Sequence, residues 1–298
     1  MKRIFVTGCG GMVGSSLHNY FKEKYECKFT DKDLNEDWLE FLDVRDLQDV
    51  RKQIIKFKPD AIIHLAALTS LEYAETHLGD AWNTNYLATK NIAEIANELD
   101  IPMVYISTAG IFDGKSNEYD EDSLPNPINV YGKTKLYGDL AVRTILKKYF
   151  IIRPGWMFGG CNKDKKFVSY IIKQIKEGRK ELDVVNDKTG TPTYTYNLVK
   201  NIEVLLTTNN FGTYDMACLG KTNRLEIAKE ILKITNRQDI TIRKVDSNFF
   251  KKDFFVPRAE CECIINKNLD KIHLNLMMPW KEALKHYIEN DWKEIIKK

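Results

Sequence analysis

The chain has 298 residues, 43% hydrophobic and 29% charged, an ordinary balance for a globular protein with room for one large α/β domain or two lobes. A net charge of +3 is too small to argue for nucleic acid, and no apolar run approaches the ~18 residues that a membrane span needs. The lead MKRIFVTG lacks the apolar h-region of a signal peptide, so a cytoplasmic location is expected.

In chain order, residues 2–8 (KRIFVTG) read as a buried strand and 13–24 as a helix. Residues 27–31 (CKFTD) form a second strand and 44–58 a second helix. A third strand at 60–67 (DAIIHLAA) precedes a long helix near 81–99, and a fourth at 102–110 (PMVYISTAG) precedes a helix carrying YGKTK. Residues 150–155 (FIIRPG) supply a fifth strand. Strand and helix alternating in this way predict an α/β fold with a parallel, doubly wound sheet of the Rossmann type.

After Gly159 the rhythm breaks. In the basic stretch 163–180, Phe167, Tyr170, Ile171 and Ile175 recur at helical spacing, so its lysines read as the wet face of an amphipathic helix. The functional alternative is a patch facing a phosphorylated ligand. A polar segment at 184–202 and Lys-rich helical pieces ending at 279–295 follow. The expected division is a dinucleotide-binding domain over 1–158, with about 194–215 returning to it, and a smaller lobe made mainly from 159–298.

The cysteines are Cys9, Cys27, Cys161, Cys218, Cys261 and Cys263. Only the last two are close, as C-x-C, and neither C-x-x-C nor H-E-x-x-H accompanies them, so free thiols and no metal site are expected.

Gly8, Gly11 and Gly14 stand at three-residue spacing between the first strand and the first helix. Gly8 permits the tight turn, Gly11 lets the backbone approach a pyrophosphate, and Gly14 lets the helix pack on the sheet. Met12 and Val13 fall in the same cofactor-binding loop, and no Gly-Lys-Ser/Thr follows, which excludes a P-loop. Asp31 ends the second strand, where a carboxylate accepts from ribose hydroxyls and repels a 2′-phosphate. NAD(H) is therefore modestly preferred over NADP(H), with Lys32 pulling the other way. Asp43 and Val44, after the next apolar run, are placed toward the adenine.

Tyr131 and Lys135 are four positions apart, on one face of a helix. Alone, the pair is either a surface coincidence or a proton-transfer device. The wider pattern decides between them. The glycine loop, LDV at 42–44, HLAA at 64–67, STAGIF at 107–112 and YGKTK at 131–135 resemble an extended short-chain dehydrogenase/reductase. More narrowly, Ala66-Ala67-Leu68-Thr69, Arg153-Pro154-Gly155-Trp156 and the NDKTGTPT run at 186–193 resemble the dTDP-4-dehydrorhamnose reductase family over nearly the whole chain.

The resemblance implies that Tyr131 is the general acid, with Lys135 stabilising its phenolate, lowering its pKa and bonding the nicotinamide ribose. It implies that Thr108 holds the substrate oxygen, that Ala66 and Ala67 border the cofactor, and that Thr69, Leu71 and Trp156 border the sugar. The smaller lobe then binds the substrate, a nucleotide sugar, and the protein acts in polysaccharide biosynthesis of the dTDP-rhamnose kind. Membrane and nucleic acid are not expected partners, and a homodimer is compatible with the resemblance.

Two departures are visible. Ala109-Gly110 stands where the family has Asp-Tyr, which opens the edge of the sugar pocket and leaves the sugar unnamed. Lys166-Phe167 stands where the family has Asn-Phe near the diphosphate, a point charge in place of an amide. The leading expectation is reduction of the 4-keto group of a nucleoside-diphosphate 4-keto-6-deoxy sugar. The alternatives are a nucleotide-sugar epimerase and a non-catalytic dinucleotide-binding subunit resembling the β subunit of methionine adenosyltransferase. Dehydration is disfavoured because Ala109-Gly110 lacks the acids that drive it.

Overall fold

The computed structural model describes residues 2–296. β1 (Arg3–Thr7) is buried along nearly its whole length, as a strand covered on both faces must be. It ends at Gly8, whose φ of 74° suits only glycine, and α1 (Met12–Phe21) follows. A Cβ on Gly14 would stand 2.2 Å from the Cys9 carbonyl oxygen, so this glycine lets α1 lie against the strand end. Next come β2 (Glu26–Asp31), β3 (Glu40–Phe41) and α2 (Leu47–Phe57), the last capped by Asp46, which accepts from the Gln48 and Asp49 amides.

β4 (Ala61–His64) leads to α3 (Leu71–Thr76), α4 (Leu78–Trp82) and α5 (Ala88–Glu98). The single helix expected over 81–99 is broken by a π-helical turn at Asn83–Leu87. Within it the Asn85 side chain accepts from the Leu68 amide (2.8 Å) and donates to the Leu68 carbonyl (3.1 Å) and Thr134 Oγ1 (3.0 Å). A wide turn carrying a buried, fully bonded amide is a common device beside a ligand cavity. β5 (Met103–Ile106), α6 (Val130–Ile145) and β6 (Tyr149–Pro154) complete the alternation, and Asn129 caps α6 by accepting from the Gly132 amide at 2.8 Å.

Beyond β6 lie β7 (Trp156–Phe158), α7 (Phe167–Lys176), β8 (Glu181–Val185), β9 (Thr189–Gly190), β10 (Pro192–Tyr194), α8 (Thr195–Leu206) and β11 (Gly212–Met216). The chain continues with β12 (Thr222–Asn223), α9 (Arg224–Ile234), β13 (Thr241–Val245), β14 (Cys261–Glu262), α10 (Lys267–Lys271) and α11 (Trp280–Asp291).

Seven parallel strands form the main sheet in the order β11-β6-β5-β4-β1-β2-β3. The five strands expected from the sequence omit β3, two exposed residues without an apolar signature, and β11. Within the segment expected near 194–215, β10 pairs with β7 outside the main sheet, α8 lies against α1, and β11 pairs with β6. α7 buries Val168, Ile171, Ile172 and Ile175, whereas Tyr170, expected on its apolar face, is 51% exposed. One hydrophobic cluster runs from Ile4, Val6 and Leu17 through Ile171 and Leu182 to Leu284 and Tyr287, so the two parts of the chain share a core. Among the described residues, no helix is long and apolar enough to cross a membrane.

Candidate active site

Strand order reverses between β1 and β4, and parallel sheets leave a crevice at the carboxyl ends of their strands there. A cavity of about 2120 Å³ occupies this crevice and extends toward α7, α9 and the 247–262 segment. All the residues expected at the site from the sequence line it.

Gly8, Gly11, Met12, Val13 and Gly14 form its floor on the β1 side, with Ala66 and Ala67 beside them. A Cβ on Gly8 would lie 2.3 Å from the Ala66 amide nitrogen, whereas one on Gly11 would meet nothing within 4 Å. The backbone at Gly11 is thus open to the cavity, and α1 begins there without a side-chain cap, leaving first-turn amides for an anion. Asp31 accepts from the Gly10 amide (2.8 Å) and the Asp33 amide (2.9 Å). A carboxylate has about four lone-pair sites, so two remain for a ligand. Asp43 is gripped by Arg45 (Nη2–Oδ2 2.6 Å), which holds its carboxyl below the usual range, and Val44 is buried beside it. These features fit a dinucleotide: an uncapped helix end for its phosphates and a carboxylate at the ribose position.

Thr108 follows β5, and its Oγ1 accepts from the Gly110 amide at 3.0 Å. Tyr131 opens α6. A Cβ on Gly110 would lie 3.3 Å from Thr108 Oγ1 and 3.7 Å from Tyr131 Cε1, so the two side chains converge over this glycine. A Cβ on Gly132 would come within 2.3 Å of the Gly110 carbonyl oxygen, which explains the glycine inside YGKTK. Burial pushes the Tyr131 phenol up to about 12, against a hydrogen bond from Thr108 and with a push from Glu262 in the same direction. Lys135 is 1% exposed, with Nζ 4.2 Å from the Tyr105 ring centre. Burial brings its ammonium down to about 7, although Asp139 favours the charge. The lowering of the Tyr131 pKa by Lys135 expected from the sequence is therefore not found here: burial dominates and moves the phenol the other way.

Thr69 and Leu71 line the far wall. Trp156 lies over Gly190, where a Cβ would fall 2.5 Å from the indole, so the glycine of NDKTGTPT makes room for the ring. The indole Nε1 donates to Glu262 Oε2, and the Arg224 guanidinium stands 5.1 Å from the Trp156 ring and 5.2 Å from the Phe167 ring. Lys166 opens onto the same end, where burial and the charges of Arg224 and Arg258 depress its pKa. Arg258 Nη2 bonds Glu72 Oε1 at 2.8 Å, and Asn129 Nδ2 donates to the Pro257 carbonyl at 3.0 Å, tying this segment across to α3 and α6.

Arg224, Arg258 and Glu262 were not singled out in the sequence. Glu262 was hidden as the middle residue of the C-x-C that drew attention only for its cysteines, and Arg224 as one cation among many in a Lys-rich half. Of the lysines in 163–180, Lys163, Lys165 and Lys166 line the cavity, whereas Lys176 pairs with Glu294 on the surface.

The sequence model of the RmlD substrate binding domain family matches residues 1–292. The chain belongs to this family. It is 28% identical to the spore coat polysaccharide biosynthesis protein SpsK of Bacillus subtilis (strain 168), over 97% of this chain and 98% of that protein. The structure of dTDP-4-dehydrorhamnose reductase from Bacillus anthracis in complex with NADP superposes with a TM-score of 0.87 at 31% identity, covering 97% of this chain and 99% of that one. The β subunit of methionine adenosyltransferase 2 from Xenopus tropicalis is 30% identical over 65% of this chain and 58% of its own length.

Proposed function

We propose that the chain is an NAD(P)H-dependent oxidoreductase that reduces the 4-keto group of a nucleoside-diphosphate 4-keto-6-deoxy sugar. The observation that carries this reading is the convergence of Thr108 and Tyr131 over Gly110, with Lys135 one turn along α6 and the open glycine loop across the same cavity. Membership of the RmlD substrate binding domain family and likeness to a reductase crystallised with NADP support it.

Gly11, the first turn of α1 and Asp31 would hold the dinucleotide, which when bound supplies the hydride. The chain's own residues handle the oxygen and the proton. The Gly110 amide occupies one lone pair of Thr108, and the hydroxyl hydrogen, directed at Tyr131 in the free protein, turns to the substrate oxygen between them. Tyr131, with a pKa near 12, keeps its proton at neutral pH and gives it to that oxygen as the alcohol forms. The phenolate left behind is reprotonated from solvent. Lys166, Arg224 and Arg258 face the diphosphate as a cationic cluster.

Ala109-Gly110 offers no acid beside Thr108, which disfavours elimination. The likeness to a methionine adenosyltransferase β subunit motivates a second reading, a dinucleotide-binding subunit without turnover. Purified protein mixed with dTDP-4-dehydrorhamnose should consume NADH or NADPH, followed by the absorbance of the reduced nicotinamide. Cofactor binding with no consumption would favour the second reading.

A further inference from the structure

Glu262 reaches the cavity from β14, between two buried cysteines that turn away from it. Its Oε2 accepts from Trp156 Nε1, and the ring is fixed from below by Gly190. Among the described residues, no donor reaches Oε1. Glu262 and Tyr131 line the same cavity, and the Glu262 charge helps to push the phenol's pKa upward. Ala109 and Gly110 bring no polar side chain to the cavity, and Glu262, held by the indole through one oxygen, is a carboxylate that a bound sugar can meet there.

We propose that Glu262 is a specificity-determining residue whose free oxygen accepts a hydrogen bond from a ring hydroxyl of the sugar. The inference rests on the nucleotide-sugar reading above. A carboxylate oxygen held by an indole on one side and open on the other is suited to a hydroxyl donor, and such charge-assisted bonds are stronger than neutral ones. An ammonium on the sugar is the other donor a carboxylate takes, but Arg224, Arg258 and Lys188 surround Glu262 with positive charge and would repel it. The division of labour is then clear. The cations take the diphosphate, and Glu262 takes the sugar.

A merely structural Glu262 would neutralise Arg224 and Arg258. Its loss would then strengthen binding of any diphosphate and leave the sugar's contribution unchanged. The two roles are separated by calorimetric titration of wild type and Glu262→Gln with dTDP and with dTDP-rhamnose. Wild type is expected to bind dTDP-rhamnose about tenfold more tightly than dTDP, in the range of a hydrogen bond to a charged group. Glu262→Gln should shrink that ratio to about twofold while binding dTDP as wild type does. An unchanged ratio, or tighter binding of dTDP by the variant, overturns the proposal. Should Glu262→Gln not fold, Glu262→Asp, which keeps the charge and loses the reach, is expected to lose the ratio in the same way. Wild type that binds neither ligand would remove the nucleotide-sugar reading and the inference with it. Wild type that binds both equally removes the inference alone.

Discussion

Tyr131 and His64 show how burial sets protonation at single residues near the cavity. Tyr131→Phe keeps the ring and removes the proton, so kcat should fall about 10²–10⁴-fold while substrate KM stays close to wild type, measured in a steady-state assay. His64 is enclosed between Thr7 Oγ1 (2.7 Å) and Thr89 Oγ1 (3.1 Å), and burial, with Lys135 nearby, brings its pKa down to about 3. The unfolded chain therefore binds more protons than the folded one between about pH 3 and 6.5. The stability that His64 contributes is complete above 6.5 and is lost as pH falls toward 3. A His64→Gln variant should lose less stability over that window than wild type, seen as a shallower acid limb in denaturation midpoints against pH.

α6 is the element that sets the candidate site, because it carries both Tyr131 and Lys135. It is anchored to β6 by Asp139, which accepts from Arg153 Nε (3.1 Å) and Nη2 (3.0 Å), both side chains being 1% exposed. Asp215 stands in register with Arg153 on β11, and burial, against the pull of Arg153, pushes its carboxyl well above the usual range. Asp139→Ala leaves a buried guanidinium uncompensated and should cost about 3–5 kcal/mol in urea unfolding. If the midpoint barely moves, Asp139 does not anchor the helix. The strand–helix alternation up to β6 was legible because each strand is an apolar run and each helix has a 3.6-residue period. The π turn at Asn83–Leu87 was not, since hydrophobic periodicity does not register one extra residue. On α7, Tyr170 counted as apolar in the sequence, but its position on the helix points it outward.

Across the whole molecule, the glycine loop and the Tyr131–Lys135 pair were legible because their chemistry lies in short local spacing. At the far end of the cavity only Trp156 and Lys166 were. Trp156, Arg224 and Glu262 come from three distant segments, and the pairing of both β12 and β14 with β9 brings them together. Their meeting is a product of tertiary packing, with no signature in any one stretch.

The most direct test of the proposed reduction follows the hydride itself. The protein would be incubated with dTDP-4-dehydrorhamnose and reduced nicotinamide dinucleotide carrying deuterium at the transferable C4 position of the ring. The sugar product would then be examined by NMR. The account predicts deuterium at C4 of the sugar, with none incorporated by Tyr131→Phe beyond a small residue. A recovered keto sugar free of deuterium, from protein that binds the cofactor, would contradict the assignment of this chain as a 4-keto reductase.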